Sequence, residues 1–197
     1  MKKISDFFYK KTNIYISVFL TIVMVIYAAI VLGNSSECFI QQLKEGQSVL
    51  GLKPGYDYEY VFSFFNSLDQ GGLICYRNMI LIWDNIFPLI YGSMYIFWIS
   101  LIYRNLRIKQ TVLYFLNLFP IFHIMMDWAE NIAELILIFQ FSEFKDLNPD
   151  TAMVSSVISV IKWSGSIITY LIITAGLIIF LIKKYFKTEN SIIKKYS

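Results

Sequence analysis

Five ionisable side chains stand among apolar neighbours, at spacings that a helix would bring onto shared faces. The stretch "FPIFHIMMDWAENIAELILIF" carries Asp127, Glu130 and Glu134 at intervals of three and four residues. One helical face therefore holds all three, with His123 a turn earlier on the same stripe. A second apolar stretch, "RNMILIWDNIFPLIYGSMYIFW", supplies Asp84 and Asn85, with Arg77 seven residues before Asp84 and Tyr91 seven after. A third, "VISVIKWSGSIITY", supplies Lys162 followed by Ser164, Gly165 and Ser166, small groups that allow close helix approach. Each charge at the centre of a hydrocarbon layer costs roughly 2.5–3.5 kcal/mol on insertion scales, so this group needs partners, protons or water. Four carboxylates facing one lysine cannot all stay ionised in a low dielectric. The expected state is one firm lysine–carboxylate pair, shared protons, and room for a cation.

These residue types suit proton transfer, cation binding, or acid/base work by Asp84, Asp127 or Glu130. A divalent metal held by the acids with Asn85 or Asn131 is argued against by the lysine in their midst, and no HExxH is present, so no metal is expected. The competing reading is architectural, with Lys162 neutralising one acid while the others hydrogen-bond across helices.

The elements that must position these groups follow from composition. Of 197 residues, 57% are hydrophobic and 16% charged, against roughly 45–50% and 25% in soluble domains. Four apolar stretches, about 13–32, 79–103, 112–139 and 154–182, each reach the roughly 20 residues that cross a core of about 30 Å. A soluble domain is excluded, and the expected fold is all-α: a polytopic membrane protein of four transmembrane helices forming a single domain. The run from Ile14 to Leu32 is longer than the apolar core of about 7–15 residues in a signal peptide, which predicts a retained anchor. No GxGxxG, P-loop or GxSxG motif identifies a cofactor.

Charge sets the orientation. The N-terminal segment, the loop after the second stretch and the C-terminal tail hold twelve of the seventeen cations and only two acids, Asp6 and Glu189. The alternate segments, 33–78 and 140–153, hold four cations and eight acids. Positive loops stay on the cytoplasmic side, so both termini are expected inside a plasma membrane of bacterial type. Cations committed to membrane flanks leave the bilayer, and no nucleic acid, as the expected partner.

Counting inward from the outer helix ends at about 1.5 Å per residue gives depths of about 7 Å for Asp84 and Glu134. Lys162 and Glu130 come at about 12–13 Å and Asp127 at about 18 Å. This predicts an upper layer of Asp84 and Glu134, a lower layer of Lys162 and Glu130, and a floor at Asp127. Arg77, Tyr27 and Tyr91 would form the rim, and His123, at about 24 Å, would lie outside the group.

The outer segment 33–78 contains turn residues and the partly alternating "YDYEYVFSFF", readable as a short strand or an interfacial helix. Its aromatic content predicts a folded cap. Cys38 and Cys75 are the only cysteines, near where the segment meets the membrane. They permit a single intramolecular disulfide, with two buried thiols as the alternative.

Over residues 69–134 the chain resembles a group of small bacterial four-helix integral membrane proteins. The likeness rests on Gly71, Gly72 and Arg77, on "DNIFPLIY" from Asp84 to Tyr91, and on Asp127, Glu130 and Asn131. That group carries no assigned activity, so the resemblance implies a fold and no residue roles.

Three functions fit the sequence. The first is an intramembrane carboxylate/lysine site for a cation, a proton or a polar lipid-like ligand, related to transport. The second is an intramembrane enzyme using carboxylates on a lipid or isoprenoid. The third is a structural or partner-binding subunit, in a homo-oligomer or with another protein.

Overall fold

The structure, a computed structural model, describes residues 2–196, with side chains for 3–109 and 111–185. It is all-α. A short helix α1 (Lys2–Lys11) precedes four long ones: α2 (Ile14–Ile40), α4 (Gln70–Asn105), α5 (Gln110–Phe144) and α6 (Pro149–Tyr196), with α3 (Tyr58–Ser67) between α2 and α4. The four long helices are apolar and long enough to cross a membrane, and together they form a polytopic membrane bundle.

The helices outrun the apolar stretches that announced them, so the cap is 41–69 rather than 33–78. Apolarity marks only the lipid-embedded part of a helix; its ends are set by capping. Asp69 starts α4, accepting from the Gly72 backbone N–H at 2.6 Å, and Asn13 starts α2, accepting from Ile16 N–H at 2.9 Å. The "YDYEYVFSFF" stretch is helical, not a strand: Asp57 caps α3 by accepting from Tyr60 N–H at 2.8 Å. The residues Val61, Phe64 and Phe65, spaced by three and four, are fully buried. Their face meets Phe39 of α2, Tyr76 of α4 and Phe141 of α5 in an aromatic core. Gly55, at φ +86°, lets the cap lie on α6, where a Cβ would meet Val160 at 2.9 Å.

α4, α5 and α6 pack mutually, whereas the substantial contacts of α2 with the other long helices are all with α4. Gly92 lets α4 and α5 approach closely, since a Cβ there would fall 2.3 Å from Ile124 Cδ1. Both α2 and α4 contain one π-helical turn, Tyr27–Leu32 and Met79–Asp84, and the two turns face each other. The Tyr27 hydroxyl donates across them to the Trp83 carbonyl at 2.8 Å. α1 lies at the end that holds the 106–109 turn, where Arg104 donates to the Tyr9 carbonyl at 3.1 Å and Ser5 to Asn117 at 2.8 Å. The cap and the 145–148 turn share the opposite end, joined by the Tyr58 hydroxyl donating to Asp146 at 3.0 Å. Cys38 and Cys75 form a disulfide, with Cα atoms 6.4 Å apart, which ties α2 to the first turns of α4.

Candidate functional site

Three helices each bring one polar stripe to the centre of the bundle. On α5 it is His123, Asp127, Glu130 and Glu134, all buried. On α6 it is Ser155, Ser159, Lys162 and Ser166, again at spacings of three and four. On α4 it is Tyr76, Asp84, Tyr91 and Tyr95.

Lys162 is the hub. Its ammonium pairs with Glu130 Oε2, lies 3.6 Å from Asp127 Oδ1 and donates to the Gly51 carbonyl at 2.7 Å. Two of the ammonium's three donors make hydrogen bonds, to Glu130 and Gly51, and Asp127 completes the set as an ion-pair partner. The ammonium also stands where a cation between Asp127 and Glu130 would stand, and among the described residues no group of three or more His, Cys, Asp or Glu is arranged to hold a metal. Above the hub the site is buried and roofed by the cap. Tyr76 donates to Glu134 Oε2, and a Cβ at Gly51 would come 3.5 Å from Glu134 Oε1 and 3.6 Å from Glu130 Oε2. Both Oε1 atoms, and Asn131 Nδ2, are buried without a hydrogen bond of good geometry.

Below the hub the stripe opens into a cavity of about 480 Å³. Asp84, Tyr91, His123, Asp127, Lys162 and Ser166 supply polar groups to its lining. Tyr91 donates to Asp127 Oδ2 at 2.5 Å, and His123 Nε2 and Ser166 Oγ are 2.8 Å apart. The walls are mostly apolar: Met24, Ala28 and Leu32 of α2 on one side and Trp163 of α6 on the other, under Ile40, Val49 and Leu52. Because α2 leans on α4 and not on α6, these two walls do not close on each other.

The sequence-derived site therefore divides. Asp84, Asp127, Lys162 and Tyr91 line the cavity; Glu130, Glu134 and Asn131 are buried but off its lining, and Asn85, Tyr27 and Arg77 are off it as well. Asn85 spends its amide within its own helix, donating to the Ile80 carbonyl at 2.8 Å and the Leu81 carbonyl at 3.2 Å. The expected pairing of layers also changes. Glu134 bonds to Tyr76, and Lys162 bridges Glu130 and Asp127, so the supposed floor belongs to the hub. His123, expected outside the group, lines the same cavity as Asp127.

Arg77 was placed on the rim by counting seven residues back from Asp84, which assumes an unbroken α-helix. A π turn adds one residue to the helix, and the turn at Met79–Asp84 shifts the inward face from Arg77 to Tyr76. Arg77 is exposed and Tyr76 fully buried. Sequence reasoning also missed the Ser155–Ser159–Lys162–Ser166 stripe, whose helical spacing was readable, and the Gly51 carbonyl, for which no sequence signal exists.

Outside the membrane-spanning segments, the Asp69 carboxyl is held below its ordinary range, first by the Gly72 backbone N–H and then by the Gln42 amide. The Tyr56 phenol is pushed up, chiefly by burial and next by the charge of Glu134.

No family model, curated protein or solved structure matches this chain.

Proposed function

We propose that this multi-pass membrane protein binds a lipid-derived amphiphile, with the polar head against Asp84, Asp127 and His123 and the tail leaving between α2 and α6. The observation that carries this reading is the form of the cavity: about 480 Å³, mostly apolar-walled, with two acids, a lysine and a histidine on its lining, and bordered by α2 and α6, which share no substantial contacts. That volume is within the usual range of small-molecule sites and roughly fifteen times a water molecule's share of the liquid. A bare cation or a proton needs no such chamber, so the polar lipid-like ligand is favoured over the other two. Transport of that ligand, or acid/base chemistry on its head by Asp84, would use the same pocket.

The positive flanks support an orientation in a bacterial-type plasma membrane with both termini cytoplasmic. The cap, the disulfide and the roofed acids would then be on the outer side, where disulfides persist.

The test is photolabelling in proteoliposomes with a diazirine-bearing long-chain alcohol. Labels are expected on Met24, Ala28 and Trp163, and Ala28→Trp, which fills the cavity from a helix that takes no part in the hub, should remove them while leaving thermal stability nearly unchanged. Labels confined to lipid-exposed residues such as Phe139 and Val157, and indifferent to Ala28→Trp, would sink the proposal.

A further inference from the structure

The hydrogen-bond inventory of the cavity goes further than its shape, and rests on the amphiphile reading above. We infer that the site selects amphiphiles whose head donates hydrogen bonds, a primary ammonium or a hydroxyl, and rejects phosphate and carboxylate heads.

The donors come first. Lys162 is the only lysine or arginine on the lining; it donates to Gly51 and Glu130 and forms an ion pair with Asp127 at 3.6 Å. The Tyr91 proton goes to Asp127, the Tyr95 proton to Tyr170 at 2.8 Å, and the Ser166 hydroxyl lies 2.8 Å from His123 Nε2 and 3.3 Å from the Lys162 carbonyl. Outside the His123–Ser166 pair two neutral donors remain, the Trp163 indole N–H, which is buried without a partner, and the hydroxyl of Tyr170, a half-exposed residue. Either offers a single hydrogen bond, and neither neutralises an anion.

The acceptors are the reverse. Asp84 lines the cavity, is only half-buried, and has the Asn131 amide beside it without a hydrogen bond of good geometry. Its carboxylate oxygens face space a head group would fill. His123 Nε2 and Ser166 Oγ satisfy each other at 2.8 Å, and His123 Nδ1, in a side chain only 4% exposed, has no partner. Asp84 and Asp127 against Lys162 leave one more acid than base on the lining. An anionic head would meet two acidic side chains and a cation already paired with Glu130 and Asp127, whereas an ammonium or hydroxyl brings a donor to them.

The experiment is competition, on the intact chain, against diazirine-alcohol labelling of the cavity wall by hexadecylamine, hexadecanol, hexadecyl phosphate and palmitate. The amine and the alcohol are expected to compete at concentrations at least roughly tenfold lower than either anion, about 1.4 kcal/mol. Asp84→Asn should remove most of the amine's advantage while leaving the alcohol able to compete. Equal competition by phosphate or palmitate overturns the head-group inference and leaves the amphiphile site standing. An unchanged amine preference in Asp84→Asn overturns the assignment to Asp84. Absence of any cavity labelling by the alcohol probe removes the amphiphile site itself, and with it this inference.

Discussion

The two ends of one polar stripe are built differently although the same lysine joins them. At the roofed end Glu130 and Glu134 are buried under Gly51 and held by Lys162 and Tyr76. At the open end Asp84, Asp127 and His123 border a cavity. A buried ion pair is costly to form and costlier to break on one side, so the roofed end makes the arrangement of α4, α5, α6 and the cap all-or-none. The open end has acceptors to spare and a volume to receive a donor. The first region holds the bundle in register, and that rigidity is what a functional second region requires.

The difference can be broken most directly at the hub. Lys162→Met leaves Glu130 and Asp127 without their cation and is expected to lower stability by about 3–5 kcal/mol, measured by denaturant or thermal unfolding in detergent; an unchanged midpoint would show that the acids do not depend on it. Tyr76→Phe removes the donor to Glu134 in the roofed end and should cost about 1–3 kcal/mol, with cavity labelling retained. If labelling fell while stability held, the two ends would not be separable. Asp84→Asn should do the opposite, changing stability by no more than about 0.5 kcal/mol while altering which ligands compete.

The smallest effect is expected at the membrane surface, at Asp69, and serves as a control. Its folded-state pKa is depressed by the Gly72 N–H and Gln42. Its contribution is thus fully present above the unfolded value of about 3.9 and is lost as pH falls through the lower folded value. Asp69→Asn should flatten only that acidic part of a stability–pH curve; a change near neutrality would mean that another group is responsible.

The four spans were legible because hydrocarbon thickness imposes a length and a composition that no local packing overrides. The acids of α5 and Lys162 were legible because a charge among apolar residues demands a partner. The facing was not. Residues on one uninterrupted helix, such as Asp127, Glu130 and Glu134, share the face their spacing implied, whereas Arg77 and Asp84 do not, because the π turn between them slips the count by one. The cap contact was hidden for another reason. Gly51 contributes a backbone carbonyl, and every residue has one, so only the folded chain distinguishes it. The helical course of "DQGGL" and "GNSSE" lay beyond any apolar window, set by a cap at Asp69 and by continuation from α2.

The Cys38–Cys75 bond also bears on how the protein is assembled. α2 leaves the ribosome first, yet the long helix it packs against, α4, is made later, so α2 must wait in the bilayer as a lone span. The bond can close only after Gln70–Asn105 has been inserted with Cys75 on the same face of the membrane as Cys38. A chain threaded with either helix inverted keeps two separated thiols. The covalent link thereby records correct insertion of the first two spans, and a thiol-reactive tag would count the molecules that failed.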